Sequence, residues 1–503
     1  MNPLYNLLLG LSVVLLPINL LYCFIGVLIG TLIGVLPGIG PIGAMSLLLP
    51  ATFHSSPVSA VILLAGIYYG AQYGGSTTSI LLNIPGEGAS VVTCLDGYQM
   101  ARQGRAGPAL GISAFGSFIG GTLSVVGLML IAPPLASISL KFGPPEFFSL
   151  MCLGLTIVVY LASGSVVRAF MMAAFGIILG CIGQDFESGS FKFTFGTPEL
   201  VDGIGLSPLI MGLFGVSEVL LNLEQNVTNR DIFQTKIKNL LPNLRDWKDS
   251  IKPILRGSIL GFFLGIMPGG GAVISSFTSY ALEKKFSKHP ERFGRGAIEG
   301  VAGPETANNA ATGGAFIPLL TLGIPPNVVM ALLLGALVIH GVAPGPQLIT
   351  KHPELFWGII ASMYVGNIML LILNLPLIGI WVQVLKIPYR ILFPLILLFC
   401  IVGAYSINNS LFDVKLMLIF GALGYFMKKF NYEAAPLILA YVLGPMFEYS
   451  LRQSLLLSHG SFLIFFTRPI SRGAMILVLF MLISPVFPII KRWRKRIPIE
   501  ETT

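Results

Sequence analysis

The first 86 residues of this chain contain no aspartate, glutamate, lysine or arginine, and the first formal charge is Glu87. Further uncharged stretches cover 106–140, 147–167, 257–282, 306–350, 355–385 and 473–490. A large soluble protein would need charged residues at helical spacing on its outer faces, and those faces are missing. A membrane span needs about 20 apolar residues, so the chain is predicted to be an all-α integral membrane protein with about 10–12 transmembrane helices plus re-entrant or broken ones.

Charge is scarce and lies at the ends of apolar stretches. Only 11% of the 503 residues are charged, against about 25% in soluble domains. The net charge of +9 therefore indicates topology and no nucleic-acid partner. A basic cluster follows the last span and predicts a cytoplasmic C-terminus; it comprises Lys491, Arg492, Arg494, Lys495 and Arg496. The five single cysteines, in apolar surroundings, are predicted to be small core residues.

Two halves of the chain carry the same glycine and proline landmarks. Gly30, Gly34, Pro37, Gly38 and Gly40 recur 231 residues later as Gly261, Gly265, Pro268, Gly269 and Gly271. Further on, the glycine pair and Ile-Pro of 74–85 recur in 313–325 at an offset of 239 to 240. The predicted organisation is a first half at 1–223, a cytoplasmic polar loop at 224–252, a second half at 253–490 and a basic cytoplasmic tail at 491–503.

Charge bias suggests how the halves are related. The first-half connector after His54 has no lysine or arginine, whereas its counterpart around Lys284–Arg295 has five. Conversely, Arg102 and Arg105 have no basic counterpart around 341–347. Opposite bias at equivalent positions is what inverted-topology repeats produce, so two inverted repeats are predicted.

Segment 254–281 has basic residues on both sides, which a simple span should not have. A re-entrant hairpin with its tip at 268–271 would resolve this conflict, and a kinked but complete span is the alternative. Non-helical backbone inside a membrane is tolerated only where protein or a water-filled cavity surrounds it.

Broken helices are the candidate binding elements, because their free N–H groups favour anions and their unwound carbonyls can hold a cation. Breaks are predicted at 35–41, 74–88, 266–272, 304–314 and 322–327. The predicted substrate- and ion-binding residues are Pro37, Gly38, Gly40, Ser76, Thr77, Thr78, Asn83, Pro85, Gly86, Pro268, Gly269, Gly270, Gly271, Asn308, Asn309, Thr312 and Pro325. A Na⁺ site is predicted near Ser76, Thr77, Asn308 and Asn309.

Glu87 and Glu305 follow prolines in these segments, and each could bind a cation or proton or cap a helix. Sequence motifs for enzymatic chemistry are missing: the chain has no GxxxxGK[ST], HExxH or GxSxG. No enzyme activity and no cofactor are therefore expected, apart from a coupling ion.

Long motifs resemble the large membrane subunit of bacterial tripartite tricarboxylate transporters. They include GTLIGVLPGIGP, the stretch from AGIYYGAQYGG to MARQGRAG, the stretch from SKHPERFGRG to LLTLGIP, and LLGALVIHGVAPGP. The resemblance covers most of 20–400. One departure is Pro326, where the family usually has glycine after LGIP.

The resemblance implies a permease of the bacterial inner membrane that works with a small membrane subunit of about four spans and a periplasmic solute-binding protein. It also implies carboxylate import driven by a Na⁺ or H⁺ gradient. The alternative function is an ion channel or a cation/proton antiporter on the same inverted-repeat scaffold.

Overall fold

The computed structural model describes residues 3–36, 40–162, 165–185, 188–224, 240–269, 271–384 and 389–483. Predicted features that lie outside these residues are Pro37, Gly38, Gly270, part of the polar loop and the basic tail. Helices make up nearly all of the regular structure, which confirms the predicted all-α membrane class.

The part of the chain before the polar loop forms ten helices and one short hairpin of strands within the described residues. The helices are α1 Pro3–Val14, α2 Pro17–Val35, α3 Gly40–Leu48, α4 Pro57–Leu82, α5 Val91–Arg102, α6 Ala106–Ser139, α7 Pro144–Leu161, α8 Val166–Gly180, α9 Leu206–Ile210 and α10 Ser217–Glu224. A π-helical segment, Met211–Val216, joins α9 to α10. The strands β1 Gly183–Gln184 and β2 Phe191–Lys192 pair antiparallel.

The part after the polar loop contains the remaining helices of the described chain. They are α11 Leu244–Ile266, α12 Gly271–Phe286, α13 Glu299–Leu322, α14 Val328–Ile339, α15 Leu348–Lys351, α16 Pro353–Asn374, α17 Ile378–Val384, α18 Tyr389–Asn408, α19 Leu411–Lys429, α20 Ala434–Leu457, α21 Ile464–Thr467 and α22 Pro469–Ile483. Helix α11 starts inside the stretch assigned to the polar loop, because Asn243 and Asp246 form a capping box at its N-terminus.

Five helices are long and apolar enough to cross a membrane: α2, α6, α7, α16 and α20. Shorter apolar helices, such as α8, α14 and α22, accompany them. Both α4 and α13 are buried along nearly their whole length. These two helices therefore form the centre of the molecule, and the apolar helices surround them.

A glycine stripe on α2 lies directly against α4. A Cβ added at Gly26, Gly30 or Gly34 would come within 2.3–2.6 Å of a carbonyl oxygen of α4. Those carbonyls belong to Leu63, Ile67 and Ala71. Glycine thus allows the two backbones to touch, as small residues do in membrane helix pairs.

A second glycine stripe on α11 lies against α13 in the same register. A Cβ at Gly257, Gly261 or Gly265 would come within 2.2–2.5 Å of a carbonyl oxygen of α13. Those carbonyls belong to Gly303, Ala307 and Ala311. The stripe glycines are 231 residues apart in the two halves and the carbonyls 240, so the sequence offsets correspond to one repeated packing. The inverted orientation of the halves stays a prediction.

The chain reverses direction between α11 and α12. Arg256, near the middle of α11, forms an ion pair with Glu283, near the end of α12, and the intervening turn contains Pro268 and Gly269. The hairpin interpretation of 254–281 therefore describes the chain path better than a kinked continuous span. Both arms pack on α13.

Two of the predicted breaks are wrong. Helix α4 runs without interruption through Gly74 and Gly75, and α13 runs through 304–314. Gly74 lies against Thr31 O of α2, so it serves close packing between helices. The breaks lie further along, at 83–88 and 323–327, where each long helix has ended.

Candidate functional site

The two long central helices end in the same way. Helix α4 is followed by Asn83 at φ 59°, and α13 by Gly323 at φ 71°, both in the left-handed region. The chain then passes a proline and reaches Glu87 (φ −148°, ψ 169°) in the first half and Asn327 (φ −151°, ψ 172°) in the second. Each of these side chains caps the next helical segment. The two turns have matching geometry 240 residues apart.

Two further helices begin beside these turns. Helix α3 starts at Gly40 with φ 64°, and α12 starts at Gly271 with φ 47°. Glycine is the residue that adopts positive φ at little cost, so the chain can turn sharply and start a new helix at both places. The free N–H groups of a helix N-terminus carry partial positive charge.

A cavity of about 580 Å³ lies between these four elements, and we call it the central cavity. From the breaks it is lined by Gly40, Pro41, Pro85, Gly86, Glu87, Gly88, Gly269, Gly271, Pro326, Asn327 and Val328. Its other walls include Tyr68 and Gln72 of α4 and residues of α7, α10 and α20. Its volume falls in the range of small-molecule sites, about 300–1,000 Å³.

The polar lining of the central cavity is neutral or acidic. It consists of Tyr68, Gln72, Glu87, Glu218, Asn327 and Glu433, and the described lining residues include no lysine, arginine or histidine. Glu218 forms an ion pair with Lys428. Positive potential in this cavity therefore has to come from backbone N–H groups at the helix N-termini.

Hydrogen bonds connect the polar lining into a network. The Gln72 amide nitrogen, oriented by its hydrogen bonds, lies 3.0 Å from Glu87 Oε1 and 2.7 Å from Asn308 Oδ1. Asn308 Nδ2 donates to Glu87 Oε1 at 3.3 Å. On the other side, Asn327 Nδ2 donates to the Tyr68 hydroxyl at 3.4 Å, and Thr312 also hydrogen-bonds Tyr68.

The predicted binding residues fall into three groups within the described chain. Those that line the central cavity are Gly40, Pro85, Gly86, Gly269 and Gly271. Those that bond to a lining residue are Asn308 and Thr312. The remainder lie away from the lining: Ser76, Thr77, Thr78, Asn83, Asn309, Pro268 and Pro325.

The residues away from the cavity have other contacts. Ser76 donates to Glu305 Oε2 at 2.5 Å, and Asn309 Nδ2 donates to the Glu305 backbone carbonyl at 3.1 Å. Thr78 donates to Gly34 O at 3.4 Å. Asn83 is exposed at the end of α4. The structure therefore separates the predicted Na⁺ ligands: Asn308 joins the cavity network, whereas Ser76 and Asn309 contact Glu305.

Sequence reasoning missed Tyr68, Gln72 and Asn327 as lining residues. Gln72 precedes the predicted Ser76 by one helical turn, which places both on one face of α4. Asn327 is the counterpart of Glu87 at the offset of 240, so the repeat itself could have identified it. Pro326 contributes its carbonyl, which accepts a hydrogen bond from Gly269 N at 2.9 Å and ties the second-half breaks together.

Comparisons with known proteins agree with the motifs. A family model described as "Tripartite tricarboxylate transporter TctA family" matches residues 20–439. An Agrobacterium vitis protein, "Uncharacterized 52.8 kDa protein in TAR-I ttuC' 3'region", is 51% identical over 501 residues that cover 100% of both chains. Another, "Uncharacterized protein in TAR-II ttuC' 3'region", is 53% identical over 241 residues, 48% of this chain and 100% of its own. No solved structure matches the chain.

Proposed function

The chain belongs to the tripartite tricarboxylate transporter TctA family, and from this premise we propose that it imports carboxylates through the central cavity. The observation that carries the proposal is the convergence of two matching broken elements on one cavity of about 580 Å³. Paired breaks at the interface of two repeats are the usual site of substrate in secondary transporters.

Backbone groups would bind the substrate carboxylates. The N-termini of α3 and α12 begin at Gly40 and Gly271, and both glycines line the cavity. Helix N-termini present N–H donors and partial positive charge, which suit an anionic group. A multivalent carboxylate could then be bound without buried lysine or arginine, whose desolvation is costly.

Side chains of the lining would orient the substrate. Tyr68 and Asn327 hydrogen-bond each other across the two halves, and Gln72 lies one turn further along α4. Hydroxyl and amide groups accept or donate according to the ligand, so they suit the hydroxyl groups and second carboxylates of small organic acids.

The finer parts of the proposal follow from the family. We expect a small membrane subunit and a periplasmic solute-binding protein that delivers the substrate, with the assembly in the bacterial inner membrane and the C-terminus in the cytoplasm. An ion gradient would drive import. Alternating access would arise from movement of one repeat against the other around the cavity.

A cation/proton antiporter or channel is the second candidate. Three glutamates, Glu87, Glu218 and Glu433, line the cavity, and acidic lining suits a cation path. The two functions differ in one measurable property: a symporter accumulates carboxylate above its external concentration, whereas a channel only equilibrates its ion.

The test is uptake of radiolabelled acetate, succinate and citrate into vesicles that contain the chain with its two partner subunits. We expect accumulation of at least one di- or tricarboxylate that collapses with a proton or sodium ionophore. Tyr68→Phe should raise KM about three- to tenfold, because one neutral hydrogen bond contributes about 0.5–1.5 kcal/mol.

Tyr364→Phe is the matched control. Tyr364 lies on α16 outside the cavity lining, and its hydroxyl contacts only the Met129 sulfur, at 3.2 Å, among its printed partners. This variant should keep the wild-type KM. Equal KM values for both variants, or ion flux without carboxylate accumulation in the wild type, would contradict the proposal.

A further inference from the structure

Glu305 is a buried carboxylate near the centre of the molecule that the substrate cavity does not use. It lies on α13, is 1% exposed and is missing from the cavity lining. Its oxygens accept hydrogen bonds from hydroxyl groups on three other helices: Ser76 of α4, Thr93 of α5 and Ser113 of α6. This arrangement encloses the carboxylate completely.

No positive charge compensates Glu305. Within the described residues no lysine, arginine or histidine lies at ion-pair distance from it. The titratable groups that face it are Tyr73 on α4, Cys94 on α5 and Glu87 in the first-half turn. All three are neutral or acidic. A buried carboxylate without a counter-charge is stable only when it takes up a proton or a cation.

Glu305 is joined to the substrate cavity by two short routes. Along α4, Ser76 is one turn from Gln72, which lines the cavity. Along α13, Glu305 is one turn from Asn308, whose amide contacts the cavity glutamate Glu87. A change at Glu305 therefore alters groups that touch the substrate site through one intervening side chain.

We propose that Glu305 carries the proton that couples substrate import to the proton gradient. The inference rests on the proposed function and names the coupling ion and its site. The proton would bind a carboxylate oxygen of Glu305 while the site faces outward, and leave it on the inward side; no covalent bond of the substrate changes.

A proton suits this geometry better than a metal cation. Both carboxylate oxygens are already engaged by hydroxyl groups that can reorient to donate or accept. A hard cation would need several oxygen ligands in place of those bonds. Protonation also removes the negative charge near Glu87 when an anionic substrate enters, so the two binding events favour each other.

The experiment separates coupling from substrate binding. The complex is reconstituted in proteoliposomes with the carboxylate that the wild type transports best among acetate, succinate and citrate. In the wild type, an inward gradient of about one pH unit should raise accumulation roughly tenfold for one proton per substrate. Glu305→Gln should show no such rise and yet retain substrate counterflow at equal pH, because exchange requires no net proton movement.

Two further variants guard against a folding defect and a general charge effect. Thr93→Ser keeps the hydroxyl and should preserve coupling, whereas Thr93→Val should weaken it. Glu354→Gln, at an exposed residue of α16, should behave as the wild type.

The outcomes divide cleanly. Proton-driven accumulation in Glu305→Gln, accumulation driven by sodium alone in the wild type, or an uncoupled phenotype in Glu87→Gln but not in Glu305→Gln would overturn the proposal. Loss of counterflow together with accumulation in Glu305→Gln would also overturn it, by assigning Glu305 a role in binding or folding. Absence of carboxylate counterflow in the wild type would instead refute the proposed function itself.

Discussion

Asp96 shows how one residue joins the two halves. It lies on α5 and is fully buried. Its Oδ1 accepts hydrogen bonds from the backbone N–H groups of Gly294, Gly296 and Ala297 at 2.7–2.9 Å, and its Oδ2 accepts from the Tyr280 hydroxyl at 2.9 Å. A single first-half carboxylate thus fixes the loop that leads into α13.

Asp96→Asn should therefore lower stability markedly. The amide nitrogen cannot accept hydrogen bonds, and an unsatisfied hydrogen bond to a charged group costs about 1.5–3 kcal/mol. Tyr280→Phe removes only one donor from the same carboxylate and should cost about 1 kcal/mol. Thermal unfolding of the purified protein in detergent compares the two. Equal stability of both variants would show that the backbone contacts of Asp96 contribute little.

Among the helical elements, the glycine stripes decide how close the backbones come. The α2–α4 and α11–α13 pairs place glycine Cα atoms against carbonyl oxygens in the same register. Lipid chains are as apolar as leucine, so close van der Waals packing holds such pairs together more than the hydrophobic effect does. The breaks that form the cavity follow from these two rigid pairs.

Gly261→Ala tests this packing. Its Cβ would lie 2.2 Å from Ala307 O and 2.7 Å from Ala307 Cα, which are backbone atoms that cannot rotate away. We expect a loss of about 1–3 kcal/mol from overpacking, seen as a lower unfolding temperature.

Gly473→Ala supplies the control for Gly261→Ala. Gly473 lies on α22, and an added Cβ would meet nothing within 4 Å. Alanine favours helix by about 1 kcal/mol over glycine, so this variant should be neutral or slightly more stable. If Gly261→Ala behaved in the same way, the two helices would not need close contact.

At the scale of the whole molecule, the central cavity is bounded by elements of both halves. Gly88 of the first-half turn and Val273 of α12 face each other, with 3.1 Å between an added Gly88 Cβ and Val273 Cγ2. Transport by alternating access requires such elements to move relative to each other.

A disulfide between these positions should stop transport. The double variant Gly88→Cys, Val273→Cys places its sulfur atoms close enough to bond, since disulfides join Cβ atoms about 3.5–4.5 Å apart. In a background without the five native cysteines, oxidation should abolish carboxylate uptake and a reductant should restore it. The reduced double variant is its own control. Undiminished uptake by the fully oxidised protein would mean that the two elements do not separate during transport.

The repeat was predictable from the sequence in its landmarks but not in its contacts. Gly30 and Gly261 matched at a fixed offset, and the structure gives both the same role against α4 and α13. By contrast, Gly74–Gly75 and 304–314 looked like breaks and are helical. Glycine and proline weaken a helix locally, but neighbouring helices satisfy and support the backbone, so tertiary packing outweighs the local preference.

The site was predictable only in part, for a related reason. Gly40, Pro85, Gly86, Gly269 and Gly271 were identified because they break helices, and breaking is a property of the residue itself. The faces of α4 and α13 were not determined in this way. Ser76 was predicted to bind the ligand and instead contacts Glu305, whereas Gln72, one turn earlier, lines the cavity.

The sequence by itself determined that this chain is a helical membrane protein with two matching sets of breaks. Long uncharged stretches cannot be solvated by water, and glycine and proline act locally, so both conclusions need no tertiary contact. Only the tertiary structure decided which side chains meet. It brought Glu305 to three hydroxyl-bearing helices and Tyr68 to Asn327, because residues far apart in the chain become neighbours only when the glycine stripes set the helix register.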